Sequence, residues 1–594
     1  MIKELSELGK TLRAGKDGSA CNALKPEPIS MELVISKDGC FQQLLFLDVK
    51  QTTAEAITAK KGKARLLLDK PEEVLCHGGD PSKKKHQLFL DKIADYEHLL
   101  ELSPVIAFYR HNKAAGLDKA LEQFESIAAT DDKQIKKIIT GNIGFRVQEE
   151  AVRIHEKPEV LSAITAKYEL LQRELLSGAT RQCSICGKND YPVEDIPHGM
   201  IKKVPDGQSS GCALVSYNEN AFESYELQGN KNSSVCTNCA RTYVEGLNWL
   251  LSSGHEISVT DKKGKTKPQF RYTNRKNFGS DTAIVFWTRS NQTLDDIDQL
   301  EAPSAADVAR MIESLTSGKE KDARYLDAER FYSCTLSGAA ARIAVRDWIE
   351  TSLGDFRTSI ARWFSDIAIA RYDKDRKEID KHYAPLYNLA RSCQRQRTKS
   401  DGSYEYDKDD TATARVAATL WKAALQNSPM PFWILSKVLQ RARLDVTAER
   451  AALIKLILNR NNKGGGFMIT ENEVQGDRPI AYVCGQIFAK MESIQYAALG
   501  DKNAGIREKY FTFAMTSPAS AFGRLFNLNS KHFTKLKNDK PGLAVTLDKE
   551  LQELCKDVDI RKFPSIFLLE EQGQFAIGYY HQKQGQFAKR KPNS

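Results

Sequence analysis

The sequence predicts an α+β fold: a mixed α/β N-terminal half with a cysteine-paired insert, then a mostly α-helical C-terminal half ending in a helical bundle. Three observations lead there. Short β-patterned runs concentrate before residue 300, apolar residues recur at helical spacing beyond about 336, and two Cys-x-x-Cys pairs stand at 183–186 and 236–239. At 594 residues the chain is too long for one core, and the length suggests three to four domains.

Taken in order, "MELVISKDGCFQQLLFLDV" (31–49) reads as strand, Lys-Asp-Gly turn, strand. "KARLLLDK" (63–70) looks like a further strand, and "QLFLDKIADYEHLLEL" (87–102) turns helical. From about 103 to 176 the apolar residues keep helical spacing. The stretch 180–300 is richer in Gly, Ser, Asn and Cys, with "DTAIVFWTR" (281–289) as a buried strand. "LSGAAARIAVRDWIETSLGDFRTSIARWFSDIAIAR" (336–371) reads as long amphipathic helix. A break follows at "NRNNKGGGFMITENEVQGDRP" (459–479), and about four more helices complete the chain. The expected organisation is 1–179 mixed α/β, 180–300 Cys-rich, 301–467 helical and 468–594 a bundle.

Zinc takes four nitrogen or sulphur ligands tetrahedrally, and each Cys-x-x-Cys puts two thiolates on one tight turn. Cys183, Cys186, Cys236 and Cys239 therefore predict a Zn(2+) site, which makes the intervening stretch a zinc-knuckle insert. All-Cys ligation leaves no open position, so the predicted metal is structural. Cys212, inside the insert, is a fifth candidate. Twelve cysteines in this length is a low density with no disulfide-scaffold spacing, which favours reduced thiols in the cytoplasm. No apolar run approaches a membrane span, and "MIKELSELGKTLRAG" lacks the apolar core of a secretory signal.

Lys plus Arg number 87 against 77 Asp plus Glu, a net charge of +10. The excess is clustered in "KKGKAR" (60–65), "SKKKH" (82–86), "DKKGKTKPQFRYTNRK" (261–276), "RSCQRQRTK" (391–399), "KHFTKLKNDK" (531–540) and "KRK" (589–591). Basic runs are usually solvated surface. Six of them interleaved with Gln, Asn, Tyr and Phe suit phosphate contact and base stacking.

Catalytic signatures are missing. Gly264-Lys265-Thr266 lacks the glycine a phosphate loop needs five residues earlier, where Val259 stands. "HEISV" (255–259) has no second histidine for a zinc-protease helix. "GNIGF" (141–145) suits a plain turn better than a phosphate-clamping loop. The pattern favours a binding protein without enzymatic activity.

The segment "AFESYELQGNKNSSVCTNCARTYVEGLNWLL" resembles the signature of the large subunit of the type I-C CRISPR surveillance complex (Cascade). The family's Phe-x-Ser-Tyr-Gly, Gln-Gly-x-Asn and terminal helix are matched by Phe222, Ser224, Tyr225, Gln228, Gly229, Asn232, Leu247, Asn248, Leu250 and Leu251. "MELVISKDGCF", "KKKHQLFLDKIADY", "TAIVFWTR", "CTLSGAAARIAVRDW" and "GQFAIGYYHQ" resemble further family segments in the family's order, so the likeness runs nearly full length. Glu226 stands where the family has glycine, and "NSSV" replaces Asn-Ala-Pro-Val.

The resemblance implies a non-catalytic subunit that reads the protospacer-adjacent motif on duplex DNA, helps open it and recruits a nuclease-helicase. Its partners would be guide CRISPR RNA, target double-stranded DNA and the backbone and small subunits of the complex. Gln228, Asn230, Lys231 and Asn232, with Lys83, Lys84 and Lys85, are the candidates for motif contact or strand wedging. Lys60, Lys61, Lys63 and Arg65 are candidates for phosphate contact without sequence preference. The resemblance also implies that the tail is made separately as the small subunit, starting at Met468 behind a Lys-Gly-Gly-Gly-Phe stretch. A free-standing zinc-ribbon nucleic-acid-binding regulator is the competing expectation.

Overall fold

The computed structural model describes the chain except residues 15–21, 57–63, 112–114, 130–132, 175–180, 193–197, 261–263, 318–327, 374, 399–403, 407–410, 463, 501–504, 557, 559–562 and 589–594. Helix and strand are mixed as expected for an α+β protein. The chain divides into two compact units, 1–201 with 213–249, and 202–212 with 250–594.

The first unit is organised by a four-stranded sheet of order β2-β1-β4-β3. Strand β1 (Leu24–Ile35) and β2 (Phe41–Glu55) form the expected antiparallel pair around the Lys-Asp-Gly turn, where Gly39 takes a φ of +80°. The "GNIGF" stretch is not a turn or a phosphate loop. It opens β4 (Ile143–Val147), which runs parallel to β1 and interrupts the helices of 103–176. The local pattern hid this strand because β4 is short and central, buried on both faces with no polar alternation. Of "KARLLLDK" only β3 (Leu68–Asp69) pairs, although Leu66, Leu67 and Leu68 are all buried.

Helices Asp80–Ala94, Ser103–Arg110, Leu117–Ala128 and Pro158–Glu174 add Phe89, Ile93, Val105, Phe108, Phe124, Val160 and Ile164 to the sheet's core. Two carboxylates on this sheet are buried, Glu32 and Asp69. Glu32 on β1 accepts from Arg146 Nε at 2.8 Å and Arg153 Nε at 2.6 Å, the double pairing a buried charge requires.

The second unit is built on an antiparallel sheet of order β10-β9-β8-β7. The "DTAIVFWTR" strand is present as β8 (Thr282–Thr288), beside β7 (Arg275–Phe278). The predicted helix 336–371 is corrected in its first half. Residues 330–352 form a hairpin, β9 (Arg330–Ala339) and β10 (Arg342–Ser352), turning at Ala340 with a φ of +53°. The alanines favour helix locally, but β9 completes its hydrogen bonding on β8 from Phe331 to Ser337, and that pairing overrides propensity. Only at Ser352, whose side chain accepts from the Asp355 amide, does the expected helix Leu353–Ile367 begin.

Beyond it the unit is mostly helical, but the expected helical stretch 301–467 is interrupted again by two antiparallel pairs, Ile369–Asp373 with Glu378–His382 and Gln396–Thr398 with Tyr404–Tyr406. Helix Ala448–Asn461 is buried continuously from Arg450 to Leu458, with Arg450 and Lys455 spending their charged ends on carbonyl and amide oxygens. The 459–479 break contains a small hairpin, β11 (Phe467–Ile469) with β12 (Val474–Gly476), and Met468 sits on it, exposed. Among the described residues five helices follow, against about four expected: Ile480–Leu499, Ile506–Thr516, Pro518–Asp539, Pro541–Cys555 and Leu569–Ala588. The first and last cross at two reciprocal glycines. A Cβ on Gly485 would meet the Phe575 carbonyl oxygen at 2.0 Å, and one on Gly578 the Tyr482 oxygen at 2.1 Å, so the backbones touch.

Each unit buries a neutral histidine. Burial lowers His155 from 6.5 to about 4. The Thr52 hydroxyl donates to Glu156, so it accepts from His155 Nε2 at 2.9 Å, while Nδ1 has no hydrogen-bond partner. A proton on Nδ1 would be buried without an acceptor, against Gly144. The unfolded chain binds that proton first, so stability is lost as pH falls from 6.5 to about 4. The expected loss is on the order of 3 kcal/mol. Denaturant melts of wild type and His155→Gln across that window check this, with the variant showing the flatter dependence. Parallel curves would exclude it.

Candidate metal centre and the loop it borders

The first Cys-x-x-Cys turns on itself: the Gly187 amide donates to the Cys183 carbonyl at 2.9 Å, with Gly187 at a φ of +71°. That left-handed position is free of neighbours and suits glycine. The second pair opens a helix. Cys236 immediately precedes Thr237–Ser252 and Cys239 lies in its first turn, where the helix dipole favours thiolate. Two bonds tie the turns together, from the Ser184 amide and hydroxyl to the Ser234 carbonyl, at 2.7 and 3.0 Å.

All four Sγ atoms lie within 4.8 Å of one another, a group that could hold a metal ion. Cys186 and Cys236 are 3.8 Å apart, which equals the edge of a tetrahedron with metal–sulphur bonds of about 2.3 Å. The Cys236 amide also donates to Cys183 Sγ at 3.4 Å. Hydrogen bonding from the Cys239 thiol lowers Cys236 to about 5, while the same contact and burial raise Cys239. Three of the four cysteines are buried and Cys186 is exposed. Tyr191, Ile185 and Val235 cover the cluster. Cys212 is outside the group; it is buried with its thiol 3.4 Å from the Ala340 carbonyl oxygen.

The helix behind the second pair is held by the N-terminal helix Ile2–Ala14 through another glycine crossing. A Cβ on Gly9 would meet the Thr242 oxygen at 2.0 Å, and one on Gly246 the Leu5 oxygen at 2.5 Å. Ser6 and Thr242 hydroxyls bond at 2.8 Å in the buried interface, and Arg13 grips both Glu245 oxygens at 2.6 Å. Sequence reading passed over these residues because a glycine in a helix signals a close approach only once the partner helix is known.

Residues 227–234 form a pinned loop leading into Cys236. The Asn232 amide group donates to the carbonyls of Leu227 at 2.6 Å and Gly229 at 3.2 Å. Arg181 Nη1 donates to the Lys231 carbonyl at 2.6 Å, and His198 bridges Ser233 Oγ and Tyr243 OH at 3.2 and 2.9 Å. Burial holds His198 near 4, so it is neutral. Of the four candidates here, Gln228 and Lys231 point to solvent, Asn230 is buried and Asn232 is spent on the loop's own carbonyls. Just upstream, Tyr225 is 96% exposed at a turn closed between Ser224 and Leu227. Tyr225 and Glu226 take φ values of +51° and +63°, which gives the physical reason a glycine suits the Glu226 position.

Lys83, Lys84 and Lys85 lie in the first turns of Asp80–Ala94, where Lys83 pairs with Asp80 and Lys85 with Glu72, while Lys84 is exposed. Arg65 is 16% exposed and paired with Glu27 at 2.9 Å and Asp69 at 3.6 Å. Lys60, Lys61 and Lys63 lie outside the described residues.

A family model described as CRISPR-associated protein (Cas_Csd1) matches residues 5–587. The chain belongs to the Cas_Csd1 family. No curated protein matches it. In this Cas_Csd1 chain the sulphur cluster, the pinned loop and the glycine crossing at Gly9 and Gly246 lie within one unit. No helix among the described residues is long and apolar enough to cross a membrane.

If the four sulphurs hold one ion, purified protein carries about one metal per chain and Cys236→Ser brings that toward zero. The same variant should lower the melting temperature by several degrees, because a structural site contributes directly to folding. Metal analysis beside thermal melts decides it; full metal content in the variant would remove Cys236 from the ligand set.

Proposed function

We propose that this Cas_Csd1 chain is the non-catalytic large subunit of a type I-C CRISPR surveillance complex. In this reading it recognises the protospacer-adjacent motif on duplex DNA, helps separate the strands and provides the surface that recruits a nuclease-helicase. The single observation that carries it is the family match over 5–587. Guide RNA, target DNA and the other subunits of the complex are the proposed partners, in the cytoplasm. The free-standing regulator has no observation in its favour beyond the cysteine spacing.

The metal in this proposal is zinc, on the four-sulphur donor set and the 3.8 Å edge. Held in place, it would supply rigidity rather than chemistry: Ser234 and Cys236 become fixed points, and the 227–234 loop is presented at a constant angle. Gln228 and Lys231, both exposed on this loop, are the proposed DNA contacts, Gln228 with an amide that suits a base edge and Lys231 with a charge that suits phosphate.

A second product starting at Met468 belongs to the same proposal. Met468 precedes all five tail helices, and the tail's first and last helices interlock through Gly485 and Gly578. They also bury apolar side chains in one core with Leu435, Ile454 and Leu458. A free tail would expose that face and therefore bind an apolar surface within the assembly.

Tagged chain isolated from its native host under mild salt should carry small RNA of uniform length with repeat-derived ends. Duplex DNA binding without any RNA would overturn the proposal in favour of a free-standing regulator. For the internal start, Met468→Leu with silent recoding upstream should abolish a C-terminal fragment detected by a tail-directed antibody, and its persistence would exclude this start.

A further inference from the structure

The basic run 261–276 overlaps a two-stranded ribbon, β5 (Gly254–Thr260) and β6 (Thr266–Tyr272), in register from Gly254–Tyr272 to Thr260–Thr266. The ribbon is a sheet of its own, with no third strand on either edge among the described residues. Nearly every residue is exposed; only Ile257 and Tyr272 are half-buried. A hairpin solvated on both faces is marginal by itself.

Its base is what holds it. The Thr273 amide donates to the Ser253 carbonyl at 3.0 Å, and Gly254 lies so close that a Cβ would sit 2.2 Å from the Arg271 oxygen. Phe270 and Tyr272 meet edge to face at 5.0 Å, and the Arg275 guanidinium lies 4.7 Å from the Tyr272 ring. Arg271 pairs with Asp298 at 2.8 Å. These contacts fix one end, and the other projects.

Directly opposed residues of an antiparallel pair share a face. The register puts His255 with Arg271, Ile257 with Gln269 and Val259 with Lys267 on one face. Glu256 with Phe270, Ser258 with Pro268 and Thr260 with Thr266 lie on the other. The first face therefore carries Lys267, Gln269 and Arg271 in an alternating row with no carboxylate of the ribbon itself; Arg271, at the base, is already paired with Asp298, which leaves Lys267 as the cation farther from the base. Among the described residues the ribbon's one acid, Glu256, is on the opposite face.

We propose that this ribbon is a DNA-binding arm whose Lys267–Gln269 face lies in a groove of duplex DNA, with Lys265 near the turn on the phosphates. The inference rests on the duplex-reading role above and adds a second contact surface, carried by the other unit. A strand of seven residues spans about 23 Å, and the major groove admits a two-stranded β-ribbon. Lys267 and Lys265 supply charge without sequence preference, and Gln269, two residues along the same face from Lys267, is placed to read a base edge. Lysine and proline also blunt exposed strand edges against aggregation, a purely protective role that would leave DNA affinity untouched.

The test uses the full-length chain and a fluorescent random-sequence duplex of about thirty base pairs, titrated at several salt concentrations. Lys265→Ala/Lys267→Ala should bind about three- to tenfold more weakly, with a log–log salt slope shallower by about 2, at unchanged melting temperature. Lys267→Glu alone should weaken binding further than Lys267→Ala. Duplex binding by wild type with unchanged affinity and slope in the variants overturns the arm and leaves the subunit assignment standing. No duplex binding by wild type overturns both. A loss confined to single-stranded DNA, matched by Phe270→Ala, overturns the duplex assignment by placing a single strand on the aromatic face.

Discussion

The first unit depends on a convergence of four sulphur atoms that a chain would not adopt without reason. Bringing Cys183 and Cys186 to Cys236 and Cys239 closes a loop of about fifty residues, at an entropic cost on the order of 3 kcal/mol. The cluster and the paired Ser184–Ser234 bonds offset that cost at one point. Everything placed by the second pair inherits its position from there: the 227–234 loop on one side, the Thr237–Ser252 helix on the other. The glycine crossing with the N-terminal helix carries the same constraint to the start of the chain.

Charge in this protein divides into two populations. Some of the cations that make the sequence look basic are committed to carboxylates: Arg65 to Glu27 and Asp69, Lys85 to Glu72, Lys276 to Asp298 and Glu301. Such pairs hold the fold and offer little to an outside phosphate. Others stand on projecting elements without an acid beside them on the same face, as Lys267 does on the ribbon. Net charge alone counts both kinds equally, which makes it a weak guide to where a polyanion binds.

The helical half is continuous with its tail. Helix Ala448–Asn461, buried nearly all round, is the shared wall, and its polar side chains reach backbone oxygens instead of solvent. Gly573 on the last helix packs 3.3 Å from a Leu458 methyl, measured from where its Cβ would stand. A boundary drawn at the Gly-rich break follows the covalent chain, whereas the apolar core runs across it.

Much of this was legible in the sequence. The α+β class, the first hairpin, the strand at 282–288 and the cysteine group follow from period-two patterning, turn chemistry and ligand spacing, all of which act over a few residues. The CRISPR-associated likeness was readable because its segments recur in order, and the match over 5–587 agrees with that much of it. Tertiary structure alone decided the rest. Residues 330–352 became strands because β8 offered unpaired backbone groups, outweighing the alanines' helical preference. Gly144 joined a central strand because Ile29 and His155 occupy the space a side chain would need. Asn232 turned inward and Gln228 outward within one short loop, a choice set by which carbonyls lay in reach. Local patterns fix what a segment can form; the partner brought from far along the chain fixes what it does form.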